Sequence, residues 1–213
     1  MQKLIYITAN TKPEELSASK TVARQLVNAI KDKFPKIKIE ELDLYKEHIP
    51  QLKYCYFESR STIIDSKARA KLSTEEQSEV NQIIKLCDQF KSADIYVLAA
   101  PMWSLSFPAP VKEYIDCIVQ SGKTIDFTDN KPHGLLDDKD RVFIYVQSSG
   151  ANIPWIIRPV LNKGLNYIED IIKFIGVKQF EELLVDGTGT TETERQEAIK
   201  QATKKIESLV DSI

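Results

Sequence analysis

The sequence predicts an α/β fold: a doubly wound, five-stranded parallel sheet with helices on both faces, in one domain over residues 1–213. Two observations predict it. Five short stretches of apolar, β-forming residues alternate with segments in which apolar residues recur at helical spacing. Most of the five stretches are continuously apolar, which is typical of parallel strands covered on both faces. Such alternation favours a parallel sheet with a helical layer on each side.

The first half of the chain supplies three of the predicted strands. Residues 4–7 form the first strand, alternating Ile37, Ile39 and Leu42 form the second, and residues 95–100 form the third. The apolar helical positions between them are Val22, Ala23, Leu26, Ala29, Ile30 and Phe34 in one helix, and Val80, Ile83, Ile84, Cys87 and Phe90 in the next. Both sets lie on one face of a helix, as expected for helices that pack on a sheet.

The stretch 44–71 shows no clear periodicity and is predicted to be a long excursion with one short helix. It is followed by Ser73 and Glu76, which form a capping box. A Ser and a Glu three residues apart can satisfy each other's free backbone amides, so a helix is expected to begin here.

The second half of the chain supplies the remaining two strands, over 142–146 and 180–185. The other expected elements are a helix that ends at Gly122, a hairpin strand over 124–128, a long helix from about Trp155 to Ile175, and a last helix behind the capping box Thr191 and Glu194. With these elements the alternation of strand and helix continues to the end of the chain.

Composition excludes several classes of protein. The formal net charge is −2, so no basic excess indicates a nucleic acid or an anionic membrane as partner. No apolar run reaches the length of a membrane span or a secretory signal, and a cytoplasmic location is expected. Three cysteines without a Cys-x-x-Cys spacing and only two histidines indicate neither a disulfide framework nor a metal site.

Parallel sheets of this kind bind ligands beyond the carboxyl ends of their strands. The loop after the first strand, residues 9–19, has no glycine, which excludes the dinucleotide fingerprint and the P-loop. It does carry Asn10, Ser17, Ala18 and Ser19 where a helix begins. Free amides and hydroxyls at a helix amino terminus suit a terminal monophosphate, as in FMN. The alternative is ordinary helix capping by serine.

The loop after the third strand places apolar side chains at the carboxyl edge of the predicted sheet. It contains Pro101, Met102, Trp103, Ser104 and Leu105. Exposed apolar side chains there cost free energy unless they cover something flat, and a flavin ring is one such partner. The alternative is that Trp103 packs under a lid or at a subunit interface.

The loop after the fourth strand is built from small residues: Ser148, Ser149, Gly150 and Ala151, followed by Asn152. Small residues allow the backbone to approach a planar ligand edge-on. The alternative is an ordinary turn. The joint position of the three loops at one edge of the sheet favours a shared binding site.

The same residues resemble a known family. The segment from Ala100 to Ala109, the run Tyr114-Ile115-Asp116 and the tripeptide Gly122-Lys123-Thr124 are similar to the flavin loop, the following helix and the Gly-Lys-Thr-Phe motif of FMN-dependent NADH azoreductases and NADH:quinone oxidoreductases. Further similarities are Asn130 to Leu136, Phe174 to Val177, and the spacing of Ser17 and Ser19. The resemblance covers nearly the whole chain and implies a flavodoxin-like fold.

The resemblance also implies an activity. It implies a tightly bound FMN, NADH as co-substrate, and a ping-pong transfer of hydride through flavin N5 to a quinone or an aromatic azo compound. It implies a homodimer with the flavin at the interface, and a substrate pocket that we assign to Trp103, Ile125, Asn152 and Tyr56, with residues 54–61 as part of its wall. No residue stands out as a general acid.

The sequence departs from the family pattern in the site itself. Ser104 replaces the usual Asn, Leu105 the usual Phe, Ile125 the usual aromatic, and residues 148–151 replace Ser-Arg-Gly-Gly. These departures leave the electron acceptor open. Alternatives are a flavin reductase or nitroreductase of the same fold, a non-catalytic flavodoxin-type electron carrier, or a flavin-free binding domain. The choice between NADH and NADPH is open too.

Overall fold

A five-stranded parallel sheet forms the centre of the computed structural model, which describes residues 2–154 and 156–213. Its strands are β1 (Lys3–Thr8), β2 (Lys38–Asp43), β5 (Ile95–Pro101), β8 (Val142–Ser148) and β9 (Gln179–Val185). Their order across the sheet is β2-β1-β5-β8-β9, and every neighbouring pair is parallel. The predicted fold class and its five strands are confirmed.

Helices cover both faces of this sheet. They are α1 (Ala18–Lys33), α2 (Ser66–Arg69), α3 (Thr74–Ser92), α4 (Ala109–Ile118), α5 (Arg158–Leu161), α6 (Lys163–Phe174), α7 (Glu192–Thr203) and α8 (Ile206–Asp211). One hydrophobic cluster joins the sheet to α3, α4 and α6, and a second joins it to α1, α7 and α8. Successive residues of β1 alternate between the clusters, since Ile5 and Ile7 belong to one and Leu4 and Tyr6 to the other.

Aromatic residues stack across the α3 face of the sheet. Tyr96 of β5, Phe143 of β8 and Phe180 of β9 stand in register, with ring centroids 5.8 Å apart in each neighbouring pair. Aromatic pairs at such spacing add stabilisation beyond the area that they bury. They fix the register of the strands whose carboxyl ends carry the functional loops.

Small additional strands lie outside the main sheet. The predicted hairpin is confirmed as β6 (Ile125–Thr128) and β7 (Lys131–Gly134), joined by Asp129 and Asn130, which both have positive φ. Asp and Asn tolerate this conformation in tight turns. The excursion over 44–71 contains β3 (Phe57–Ser59), β4 (Thr62–Ile63), α2 and a 3-10 turn over Tyr54–Tyr56.

Three helix boundaries differ from the prediction. The helix before the hairpin ends at Ile118 rather than at Gly122, because the hydroxyl of Thr124 donates to the carbonyl of Ile118 at 2.6 Å and turns the chain there. The last predicted helix is divided into α7 and α8; the hydroxyl of Thr203 bonds the Ile199 carbonyl at 2.8 Å, a contact that bends helices.

The long helix expected from Trp155 to Ile175 is two helices, α5 and α6. Asn162 interrupts it, because its side-chain oxygen accepts from the Leu165 amide at 3.1 Å and caps α6. Trp155 itself lies outside the described residues.

The strand order reverses between β1 and β5, since the chain moves outward to β2 and then returns to the other side of β1. In a doubly wound sheet, the loops that follow the two strands at this point run to opposite sides of the sheet and leave a crevice between them. No helix in the described part of the chain is long and apolar enough to cross a membrane.

Candidate active site

A cavity of about 510 Å³ opens beyond the carboxyl ends of β1 and β5, where the strand order reverses. Eight of the residues predicted to bind the cofactor line it: Asn10, Ser17, Ala18, Pro101, Met102, Trp103, Ser148 and Gly150. The three loops that the sequence singled out therefore share one site. A volume of this order suits a cofactor or a drug-sized ligand.

The amino terminus of α1 forms one end of the cavity. Ser17 is its N-cap: the hydroxyl oxygen accepts from the Lys20 amide at 3.4 Å and from the Asn10 side-chain amide at 2.9 Å. The capping interpretation of Ser17 is thus correct, and Ser17 also lines the cavity. Among the described residues, the amides of Ala18 and Ser19 have no partner. Free amides at the positive end of a helix dipole are a ready site for a phosphate.

Ser19 lies behind Ser17 rather than in the cavity wall. Its side chain is fully buried and its hydroxyl is 3.4 Å from that of Ser17. Its hydroxyl contacts the hydroxyl of Ser17 from behind, and the residue as a whole does not reach the cavity surface.

A second helix amino terminus also faces the cavity, that of α7, through Thr190, Thr191 and Glu192. It is already occupied: the Glu194 carboxylate accepts from the amides of Thr190 and Thr191 at 3.0 and 2.9 Å. These bonds and the Thr191 hydroxyl lower the pKa of Glu194. The carboxylates of Glu192 and Glu194 at this terminus oppose a phosphate, whereas no acidic residue lies in the first turn of α1, so the α1 end of the cavity suits a phosphate better.

The loop after β5 is a tight turn held by two backbone bonds. Trp103 donates to the Ser106 carbonyl at 3.1 Å, and Ser106 donates back to the Trp103 carbonyl at 2.8 Å. Its central residues, Ser104 and Leu105, have φ of 51° and 62°. Neither is the Gly or Asn that this conformation favours, so the turn stores strain of about 1 kcal/mol or more at each residue.

The strained turn leaves backbone amides free. In the described part of the chain, the amides of Ser104 and Leu105 donate to no protein group. The Trp103 side chain is 45% exposed and lines the cavity, so an apolar ring surface faces solvent beside free donors. A flat, apolar ligand with hydrogen-bond acceptors at its edge satisfies both features.

The loop after β8 is tied to the loops on either side of it. Met102 donates to the Ser148 carbonyl at 2.7 Å, and Thr188 donates to the Ser149 carbonyl at 3.0 Å. The Ser149 hydroxyl turns away from the cavity to Asp186, at 2.9 Å. Gly150 is different, because a Cβ atom added there meets no atom within 4 Å. The protein itself therefore leaves the space beside Gly150 open.

Three of the four residues predicted for the substrate pocket lie outside this cavity. Ile125 and Tyr56 are 4% and 0% exposed and belong to the hydrophobic cluster under α3 and α4, so their side chains do not line the cavity. Asn152 lines a neighbouring cavity of about 590 Å³ between β9 and α7. Trp103 alone of the four predicted residues lines the first cavity.

Part of the cavity wall was not predicted from the sequence. The loop after β9 supplies Thr188, Gly189 and Thr190, and α7 supplies Arg195. The signal was available, because this loop also leaves the carboxyl edge of the sheet. Arg195 is paired with Glu192 at 2.7 Å, and this pairing lowers the pKa of Glu192 to about 2.

The comparisons with known proteins agree with this geometry. The model of the flavodoxin-like fold family matches residues 2–210. The FMN-dependent NADH:quinone oxidoreductase of Ruminiclostridium cellulolyticum is 72% identical over 213 residues, which is all of both chains. The chain belongs to the family of FMN-dependent NADH:quinone oxidoreductases. The oxidoreductase of the same name from Clostridium botulinum (strain Eklund 17B / Type B) is 59% identical over 214 residues, again across both whole chains.

Two solved structures share the fold. The FMN-dependent NADH-azoreductase of Bacillus anthracis (strain Ames Ancestor), solved in complex with FMN, has a TM-score of 0.80 at 24% identity and covers 99% of this chain and 100% of its own. The azoreductase of Bacillus anthracis (strain Sterne) has a TM-score of 0.79 at 24% identity over 100% of both chains.

Proposed function

We propose that this chain is an FMN-dependent NADH:quinone oxidoreductase whose FMN binds in the 510 Å³ cavity. One observation carries the proposal: a helix amino terminus with free amides and an exposed tryptophan beside free amides face the same cavity at the switch point of the sheet. The first suits a phosphate and the second an aromatic ring system. The names of the relatives at 72% and 59% identity support the same activity.

The residues at α1 hold the phosphate. The amide of Ala18 and the hydroxyl of Ser17 would donate to its oxygens, while Asn10 fixes the position of the Ser17 hydroxyl. These groups bind and orient the cofactor and leave its ring free to react.

The turn over 103–106 and the loop at Gly150 hold the ring. When bound, the flavin supplies the hydride chemistry that links a nicotinamide to a quinone. Trp103 covers part of the ring surface, and the free amides of Ser104 and Leu105 stabilise charge at its polar edge. Open space at Gly150 lets the backbone approach closely. No side chain is assigned as a general acid.

We also propose that the active form is a homodimer with the site at its interface. The support is that large apolar side chains are exposed on two segments that α6 connects through the bond from the Gly164 amide to the Leu105 carbonyl: Trp103, Leu105, Ile156, Ile157 and Val160. Several exposed large apolar residues on neighbouring segments are typical of an interaction surface. Sedimentation of the purified protein tests this, with a monomer at micromolar concentration as the contradicting result. A cytoplasmic location is part of the same proposal and is tested by cell fractionation.

The reduction of electron acceptors other than quinones stays a prediction. Azo compounds follow from the resemblance, and nitro compounds and flavins are the alternatives within the same fold. A flavodoxin-type carrier remains as the alternative without catalysis. Steady-state rates with a quinone, an azo dye and a nitroaromatic, at equal NADH, separate these possibilities.

Trp103→Ala tests the assignment of the cavity. The side chain is 45% exposed, so little core packing is lost and the free energy of unfolding of the apoprotein is expected to change by less than about 1 kcal/mol. FMN affinity is expected to fall about tenfold, because the ring loses its apolar cover. Phe174→Ala is the control, since Phe174 is also an exposed aromatic (40%) but does not line the cavity. Equal FMN affinity of Trp103→Ala and wild type would remove Trp103 from the site.

A further inference from the structure

Lys20 is a buried cation directly behind the phosphate end of the cavity. It is 7% exposed and belongs to the first turn of α1. Its ammonium donates to the Lys12 carbonyl at 2.9 Å and to the Asn10 carbonyl at 3.4 Å, and both of these residues line the cavity. Its backbone amide donates to the Ser17 hydroxyl at 3.4 Å.

This charge has no counter-charge among the residues that the structure describes. Among the described residues, no carboxylate lies within salt-bridge distance of Lys20, although the neighbouring Arg24 pairs with both Glu14 and Glu41. Two carbonyl oxygens satisfy part of its hydrogen-bonding capacity but carry no full charge. A buried charge without an opposite charge is costly, and proteins retain one only where something compensates it.

The other charges around the cavity differ from Lys20. Arg195 is neutralised by Glu192, at 2.7 Å. Lys12 is exposed, so water and salt screen its charge. Lys20 is therefore the cation whose field reaches the α1 end of the cavity with the least screening.

We propose that Lys20 is a specificity-determining residue that selects a ligand with a phosphate group over the same ligand without it. Its ammonium is bonded to the carbonyls of Asn10 and Lys12 in the cavity wall, and from there its positive charge compensates the negative charge of the phosphate. It acts in addition to the amides and the Ser17 hydroxyl. The inference rests on the proposed function for the identity of the ligand, and nothing in the sequence marks Lys20 apart from other lysines. Its burial and its bonds to the loop single it out.

The test is the ratio of FMN affinity to riboflavin affinity in apoprotein variants, measured by quenching of flavin fluorescence. Lys20→Met is expected to weaken FMN binding about tenfold or more, equivalent to ~1.4 kcal/mol per factor of ten, and to leave riboflavin affinity within about twofold. Lys20→Arg keeps the charge and is expected to restore most of the ratio. Inorganic phosphate is expected to compete with FMN in wild type more strongly than in Lys20→Met.

Lys12→Met is the matched control, because it removes an exposed lysine from the same wall. Its smaller effect is expected to vanish in 1 M salt, where the Debye length is about 3 Å, whereas the effect of Lys20→Met is expected to persist. An unchanged ratio in Lys20→Met, or equal losses in Lys20→Met and Lys20→Arg, would overturn the proposal.

A measurement on the wild type alone covers the case in which Lys20→Met does not fold. A phosphate monoester gains its second negative charge near pH 6, so FMN affinity is expected to rise between pH 5 and about 7.5 while riboflavin affinity stays constant. That rise is expected to persist in 1 M salt, because the buried ammonium of Lys20 is screened much less than an exposed lysine, and its loss in salt contradicts the proposal. If neither flavin binds at any pH, the proposed function fails instead.

Discussion

At the scale of single residues, Ser17 serves the fold and the site with one oxygen atom. It caps α1 through the Lys20 amide and lines the cavity beside two unpartnered amides. The sequence left capping and phosphate binding as alternatives, but the geometry makes them compatible. A cap uses the lone pairs of the hydroxyl, whereas a phosphate takes its proton. Substitution can separate the two roles.

Ser17→Asp is expected to keep the cap and lose the phosphate. Asp caps helices as well as Ser does, so the free energy of unfolding stays near that of wild type, while Ser17→Ala loses about 1 kcal/mol. The carboxylate repels the phosphate, so FMN affinity falls further in Ser17→Asp than in Ser17→Ala. Chemical denaturation and FMN titration of both variants check the two halves of this expectation.

The control for that pair is Ser73→Ala. Ser73 caps α3 with the same geometry, accepting from the Glu76 amide at 3.2 Å, and lies outside the cavity. It should cost similar stability and leave FMN affinity unchanged. If Ser17→Asp binds FMN as wild type does, the phosphate does not lie at α1.

At the scale of elements, α6 holds the strained turn in place. The Gly164 amide donates to the Leu105 carbonyl at 3.1 Å, and a Cβ atom at Gly164 would lie 2.8 Å from two backbone atoms of Ser106. Behind it, the side-chain amide of Asn162 donates to the Gln147 oxygen on β8 at 2.5 Å, and both residues are 1% exposed. The break at Asn162 thus lets α6 start against the loop that carries Trp103.

Two glycine substitutions distinguish protein contacts from ligand contacts. Gly164→Ala is expected to displace the turn, because backbone atoms cannot yield as side chains do, and to lower both stability and FMN affinity despite a gain in helix propensity of about 1 kcal/mol. Gly150→Ala meets no protein atom within 4 Å and is expected to lower FMN affinity alone. Thermal unfolding of the apoproteins and FMN titration provide the comparison. Undiminished FMN affinity in Gly150→Ala would mean that no ligand approaches that loop.

The edge strand β2 gives an acid-sensitive contribution to stability. Lys3 on β1 pairs with Glu40 at 2.8 Å and, with Gln89 and Lys38, lowers the pKa of Glu40 to about 2. Because the folded-state pKa is depressed, the stabilisation is present above the unfolded pKa of about 4.3 and is lost as pH falls toward 2.

Glu40→Gln is therefore expected to cost up to ~1 kcal/mol at pH 7, as partly exposed ion pairs do, and progressively less below about pH 4.5. Urea unfolding across this range measures the difference from wild type. A difference that stays constant with pH would show that the charge of Glu40 plays no part.

At the scale of the whole molecule, the sequence predicted the sheet, its helices and the edge at which the site lies. This was possible because strand and helix patterns, capping boxes and buried strand runs are local, and the topology of α/β sheets follows from them. The loops at Ser17, Trp103 and Gly150, which line one cavity, were chosen for the same reason. The carboxyl edge of the sheet is where ligands bind, and small or apolar residues in a loop at that edge are enough to choose it.

Other features depend on contacts that are distant in sequence. Tyr56 and Ile125 were assigned to the pocket because their segments resemble pocket walls, but tertiary packing turns both side chains inward. Lys20 was passed over because one lysine in a helix gives no sign of burial. The break at Asn162 depends on a buried bond to Gln147, 15 residues away on β8. The loop after β9 was missed although the same topological rule points to it.

The most direct test of the central claim is an absorbance spectrum of the purified protein, recorded before and after anaerobic NADH and again after a quinone. We expect a flavin spectrum that bleaches with NADH and returns with the quinone, at one FMN per chain. A protein that carries no flavin and binds no added FMN would contradict the cavity assignment. A bound flavin that NADH does not reduce would contradict the oxidoreductase and favour a carrier.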